Sequence, residues 1–165
     1  MRRYVAALAL ALLAAPGAVI VLSAAPGPAL AMGGLDPAPT TAADPDYQAG
    51  KTAIAAKHWK AAIADLNKAA ARTPKDPDIQ NYLGYAYRNA GNVTAAMAHY
   101  HMALKIDPGH LGAHEYLGEA YLLQGNLTQA ETELGTLDHL CTLGCAEYSA
   151  LKAKVAAYKQ AHPAG

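Results

Sequence analysis

The sequence predicts an all-α chain, an α-solenoid of three helix-turn-helix hairpins plus a C-terminal capping helix. Three observations predict it. Small and aromatic residues recur every 34 positions, Gly-Asn and Pro punctuation falls between the recurrences, and an apolar spacing of three or four follows the last unit. A fixed period in that range marks stacked helical hairpins, each burying one face against its neighbours.

The N-terminal segment is set apart from the repeats. Arg2 and Arg3 precede an apolar run over residues 4–22, and the segment closes on Ala29-Leu30-Ala31. Small residues in the first and third of those places suit signal peptidase, so residues 1–31 are expected to be a signal peptide that is removed. The run is about a membrane thickness if helical, so an uncleaved N-terminal anchor is the alternative; Pro16-Gly17 interrupts it and favours cleavage. The expected location is therefore periplasmic or secreted. Residues 32–43 hold Gly33, Gly34, Pro37 and Pro39 and read as a flexible lead.

Composition narrows the function classes. The 165 residues are 53% hydrophobic, ample for a core, and the 13 basic and 13 acidic groups balance. Removal of residues 1–31 takes Arg2 and Arg3 and leaves 134 residues with 11 basic and 13 acidic groups. Neither balance draws the chain to nucleic acid or, after cleavage, to a membrane surface.

From residue 44 the repeat governs the chain. Gly50, Gly84 and Gly118 are 34 apart, as are Ala62, Ala96 and Ala130, and Leu66, Tyr100 and Leu134. Leu83-Gly84 returns as Leu117-Gly118, Tyr87 as Tyr121, Ala69 as Ala103, and Gly91-Asn92 as Gly125-Asn126. Small residues let two antiparallel helices approach while tyrosines supply bulk between them. Gly91-Asn92 ends one helix and turns into the next, and Pro108 stops the second helix of its unit. Helices are expected near 44–56, 59–72, 77–90, 93–106, 111–124 and 127–140, in units of about 43–76, 77–110 and 111–142. A capping helix is expected within 143–161, with Tyr148, Leu151, Val155 and Tyr158 on its apolar face, and residues 162–165 form a tail.

The run Asn81-Tyr-Leu-Gly-Tyr-Ala-Tyr, Gly91-Asn92, Ala96, Tyr100 and Ala103-Leu-Lys-Ile-Asp-Pro108 resembles the tetratricopeptide repeat. The middle unit matches closely. Unit one has Ala49, Ala53 and Lys57 where Leu, Tyr and a turn Gly are usual, and unit three has Leu137 and Thr142 where Ala and Pro are usual. The stretch from Leu140 through Cys141, Cys145 and Tyr148 to Tyr158 looks like the ending of small exported proteobacterial proteins of this repeat type.

The resemblance implies a concave groove lined by the first helix of each hairpin. Its positions fall on Asp44, Tyr47, Lys51 and Ile54, on Asp78, Asn81, Tyr85, Arg88 and Asn89, and on Gly112, Glu115, Glu119 and Leu122. Family members that grip a C-terminal carboxylate use several Lys, Arg and Asn there, and this mixed set does not form such a clamp. With Tyr85 as aromatic anchor it suits a peptide or helix of some basic character. The alternative is a helix face that is merely solvated.

Cys141 and Cys145 enclose three residues between the last hairpin and the cap. In an oxidising compartment they are expected to form a disulfide. The alternatives are soft-metal binding with His139 as third ligand, or redox-active thiols. His110 and His114, four apart beside Glu115, invite a weak metal site, against the plainer reading of packed or solvated histidines. Ser23 and Ser149 are the only serines and neither lies in Gly-x-Ser-x-Gly, and no phosphate loop or zinc-protease motif occurs. The expected function is thus non-catalytic and without cofactor: a protein-interaction module of the cell envelope, serving as scaffold or assembly factor. The rival is a periplasmic copper or zinc carrier using His139, Cys141 and Cys145. The partner is another protein or peptide, and exposed repeat ends leave self-association open.

Overall fold

The computed structural model describes residues 43–163, which form seven α-helices and no strand. They are α1 Pro45–Ala55, α2 Trp59–Arg72, α3 Pro77–Asn89, α4 Val93–Ile106, α5 Leu111–Leu123, α6 Leu127–Leu140 and α7 Ala146–Ala161. The expected signal segment 1–31 and the lead over 32–42 lie outside the described residues. Among the described residues no helix is long and apolar enough to cross a membrane.

Helix starts follow from capping chemistry. The Asp46 and Tyr47 amides donate to Asp44 Oδ1 at 2.9 and 3.0 Å, with Pro45 at the first helical position. Asp76-Pro77 repeats the arrangement, with the Ile79 amide donating to Asp76. In the third unit His110 takes the cap's place, its Nδ1 accepting from the Ala113 amide at 3.1 Å.

All three hairpins turn the same way. The amides of Lys57, Gly91 and Gly125 donate to the carbonyls of Ile54, Arg88 and Leu122, and the next amides to those of Ala53, Tyr87 and Tyr121. The turn residue sits in the left-handed region, with φ of 58° at Lys57, 87° at Gly91 and 76° at Gly125. Glycine takes that conformation without a Cβ clash and lysine does not. Asn92 and Asn126 then cap α4 and α6 through Ala95 and Gln129, while the His58 side chain makes no cap bond to α2.

Packing is serial: α1 on α2, α2 on α3, α3 on α4 and onward, with α1, α3 and α5 also touching in turn. The hairpins close on glycine notches. A Cβ on Gly50 would lie 2.6 Å from Leu66, and one on Gly84 2.4 Å from the Tyr100 ring. The period places Leu134 at the third notch, but the atom nearest a Gly118 Cβ, at 2.5 Å, belongs to Leu151 of α7. The difference has a steric reason. Leu137, fully buried, stands where Ala69 and Ala103 allow close approach in the other units, and Leu134 is left half-buried. The cap does more than cover the last hairpin, since it enters the notch that α6 leaves open.

Candidate functional site

The first helices of the hairpins bring their groove positions to one face, which carries aromatic rings in contact. The Tyr47 and Tyr82 rings meet edge to face at 5.8 Å, with the Lys51 ammonium 5.3 and 5.7 Å from their centroids. Further along, Trp59 lies 6.2 Å from Tyr85, Tyr85 5.1 Å from Tyr116, and Tyr116 6.1 Å from Tyr100. Trp59 and Tyr116 were absent from the groove set read from sequence. Tyr116 had a signal, standing one period after Tyr82, whereas Trp59 opens a second helix and had none.

Arg88 and Glu119, expected to face a partner, are bound to each other. Arg88 Nη1 donates to Glu119, its Nε donates to the Tyr100 hydroxyl at 3.3 Å, and its guanidinium lies 5.4 and 5.3 Å from the Tyr85 and Tyr116 rings. Both side chains are only 13% exposed. The pair ties α3 to α5 and steadies the aromatic row, because a guanidinium so enclosed keeps its orientation through several fixed contacts.

The other expected groove residues divide by burial. Tyr85, Glu115 and Leu122 are half-buried and Asn89 is exposed, its amide nitrogen donating to the Tyr85 carbonyl in the same helix. Asp78 is exposed and lies 3.1 Å from the His110 ring, linking the starts of α3 and α5. Asn81 is buried in the α3–α5 seam, its Nδ2 placed 3.1 Å from where a Gly112 Cβ would stand. Its Oδ1 has no hydrogen-bond partner among the described residues. In unit one, Asp44 is held by Arg72 at the edge of the array, Tyr47 is buried, and Lys51 and Ile54 are half-buried.

Electrostatics single out Glu115. Burial, then the charges of Glu119 and Glu147, push its carboxyl up to about 7, against the opposing pull of Arg88 and Lys154. Burial likewise raises the Tyr116 hydroxyl to about 12. Beside the Arg88–Glu119 pair a cavity of about 310 Å³ opens, lined also by Leu122, Leu123, Lys154 and Tyr158 among others. The cap thus contributes to the groove as well as closing the core, a role that the repeat pattern did not signal.

Cys141 and Cys145 are joined in the structure, with Cα atoms 5.6 Å apart, across the turn from α6 to α7. While that bond stands neither sulfur is a thiolate ligand. Among the described residues no three of His, Cys, Asp and Glu are grouped to hold a metal, so His139 is not assembled with the cysteines. His110 is engaged by Ala113 and Asp78. His114 Nδ1 lies 2.7 Å from Glu133 and its Nε2 2.9 Å from the Pro108 carbonyl. Two acceptors, one on each ring nitrogen, favour the imidazolium, and the Glu133 bond raises its pKa.

With this geometry in place the class is defined. Two models of the tetratricopeptide repeat match, over residues 47–110 and 87–155, and the chain belongs to that family. No curated protein matches the sequence. Among solved structures the chain is similar to the TPR2B domain of yeast Sti1 in its complex with pHsp70, with TM-score 0.65 and 18% identity over 71% of this chain and 95% of that one. It is similar to the Sgt2 TPR domain from Aspergillus fumigatus, with TM-score 0.64 and 22% identity over 78% and 89%. The Yersinia enterocolitica type III secretion chaperone SycD, in complex with a peptide of the translocator YopD, gives TM-score 0.61 and 18% identity over 70% and 88%. At these identities the likeness is one of fold.

Proposed function

We propose that this chain is a non-catalytic protein-interaction module of the cell envelope, of a small exported bacterial type. Residues 1–31 direct its export, and the face of α1, α3 and α5 holds a peptide or helix of a partner as scaffold or assembly factor. The observation that carries the reading is the row Trp59, Tyr85 and Tyr116, half-buried, with Arg88 over the rings of Tyr85 and Tyr116. Rigid aromatic anchors favour capture of a partner chain because they offer contact area at little cost in conformational freedom. The Sti1 and SycD structures, each solved with a bound partner or peptide, support the same use of the fold.

Photo-crosslinking in the native host tests it. A crosslinking residue at Asn89, on the groove side, is expected to trap envelope proteins, and one at Met102, exposed on α4, to trap few. The trapped protein is expected to lack residues 1–31 and to be lighter than its reduced form by the two hydrogens of a disulfide. Adducts only from Met102 would remove the groove reading. A retained N-terminal segment in a cytosolic fraction would remove the export reading.

A further inference from the structure

One register position recurs in every hairpin as a polar link between its two helices. The linked residues stand 19 apart, and each pair follows the last by one period. In the first hairpin they are Asp46 and Asp65, bridged by the Lys68 ammonium at 3.7 and 2.7 Å. In the second they are Gln80 and His99, with His99 Nδ1 donating to Gln80 Oε1 at 2.8 Å. In the third they are His114 and Glu133, with His114 Nδ1 donating to the carboxylate at 2.7 Å. Between the second hairpin and the third the histidine has changed helices.

The two histidine links differ in the protons they need. His99 meets one acceptor, its ring lies stacked on Tyr87 at 5.2 Å, and burial holds its pKa below the ordinary 6.5. A neutral ring therefore closes the second hairpin. His114 meets two acceptors, since its Nε2 also lies 2.9 Å from the Pro108 carbonyl. A carbonyl only accepts, so Nε2 carries a hydrogen, and the proton between Nδ1 and Glu133 is one more than a neutral ring and a carboxylate possess. The charges that act most on His114 favour holding it: Glu133 of α6 first, then Asp107 at the end of α4. Tyr121 of α5, the other titratable group beside Glu133, stays uncharged because burial and that carboxylate push its hydroxyl up. The His114 and Glu133 side chains are only 10% and 13% exposed, so loss of the proton sets a ring lone pair against a carboxylate with little water to separate them.

We propose that this proton fastens the third hairpin, so that a rise in pH loosens α6 and the 107–110 turn from α5, while the second hairpin, closed at the same register position by a neutral ring, stays shut. The array thus carries a pH switch on one repeat. The switch needs no partner and stands apart from the groove reading, although Tyr116 follows His114 by two residues and its seat loosens with α5. The Glu133 bond raises the His114 pKa above its ordinary 6.5 against the opposing effect of burial. A group so raised adds stability that is complete below 6.5 and is lost as pH climbs through the folded value.

Nuclear magnetic resonance of the histidine rings in the purified protein reads the proton directly. His114 is expected to titrate above 6.5 and His99 below it. Between pH 7 and pH 9 the amides around Glu133 and in the 107–110 turn are expected to lose about tenfold in protection, relative to intrinsic exchange at each pH. Those around Gln80 and His99 are expected to lose none. The double variant His114→Gln, Glu133→His builds the second hairpin's pair into the third, and is expected to fold and to abolish the loss. A His114 midpoint at 6.5 or lower would overturn the switch, as would a loss of protection that is equal around His99 or that persists in the double variant. The titration and the exchange are read on the unaltered protein, so they decide the matter even if the double variant does not fold.

Discussion

Gly84 and Gly118 stand one period apart and do the same work with different partners. The interior notch is filled from within its own hairpin, by the buried ring of Tyr100, which also touches Tyr116 and accepts from Arg88. The terminal notch is filled from outside its hairpin, by Leu151 of the cap. An interior repeat is held on both sides and its packing residues are shared with the next unit. The last repeat has one neighbour, and here that neighbour is a helix inserted into it. The comparison teaches that the array is closed by interlocking, so the stability of the end and the shape of the groove depend on the same contact.

The same substitution at both notches separates the two cases. Gly84→Ala places a methyl 2.4 Å from a ring that cannot retreat, and is expected to cost about 3 kcal/mol of global stability, read from denaturant unfolding. Gly118→Ala meets Leu151 at 2.5 Å, but Leu151 is carried on a terminal helix that can shift. It is expected to cost about 2 kcal/mol, and the loss is expected as faster amide exchange confined to α7 and the facing turns of α5. Equal global losses would break the distinction between interior and end.

Much of this was legible in the sequence, and the exceptions have physical causes. The 34-residue spacing of Gly84, Tyr100 and Gly91-Asn92 led to the hairpins because those residues act locally, through close approach and a left-handed turn. Arg88 was assigned to a partner because sequence spacing says nothing of Glu119, which meets it across α3 and α5 from 31 residues away. Leu151 was read as the cap's own apolar face. That it displaces Leu134 from the notch depends on the bulk of Leu137, a three-dimensional competition between helices. Lys154 and Tyr158, which line the cavity beside Arg88 and Glu119, escaped because the groove was sought only on the repeats.

The first turn offers a smaller test of the same contrast, between units that follow the repeat pattern and the one that departs from it. Lys57 holds φ of 58° where the other hairpins have glycine. Lys57→Gly is expected to stabilise the chain by about 1 kcal/mol, the relief of a side chain in the left-handed region less the added freedom of the unfolded glycine. Gly91→Ala, in the reverse sense, is expected to lose a similar amount. If Lys57→Gly is neutral, the first hairpin tolerates its turn better than its geometry implies.

The smallest effects separate the two ends of the array by pH. At the N-terminal end, Arg72 donates to both Asp44 oxygens at 2.7 and 2.8 Å and holds that carboxyl down to about 2, below its ordinary 3.8. A carboxyl lowered on folding adds stability that is present above its ordinary value and is lost as pH falls through 3.8 toward 2. At the C-terminal end the sign reverses. Glu115 is raised from 4.5 to about 7, so its folded form prefers the proton, and its contribution is present below 4.5 and lost as pH rises to 7. Acidification from pH 7 to 5 is therefore expected to raise amide protection, relative to intrinsic exchange at each pH, in α5 and α7, and further acidification below 4 to lower it first in α1 and the end of α2. Asp44→Asn is expected to flatten only the lower limb and Glu115→Gln only the upper. A single limb moved by both variants would mean that the ends unfold as one unit, and the serial packing of the hairpins would then transmit strain along the whole array.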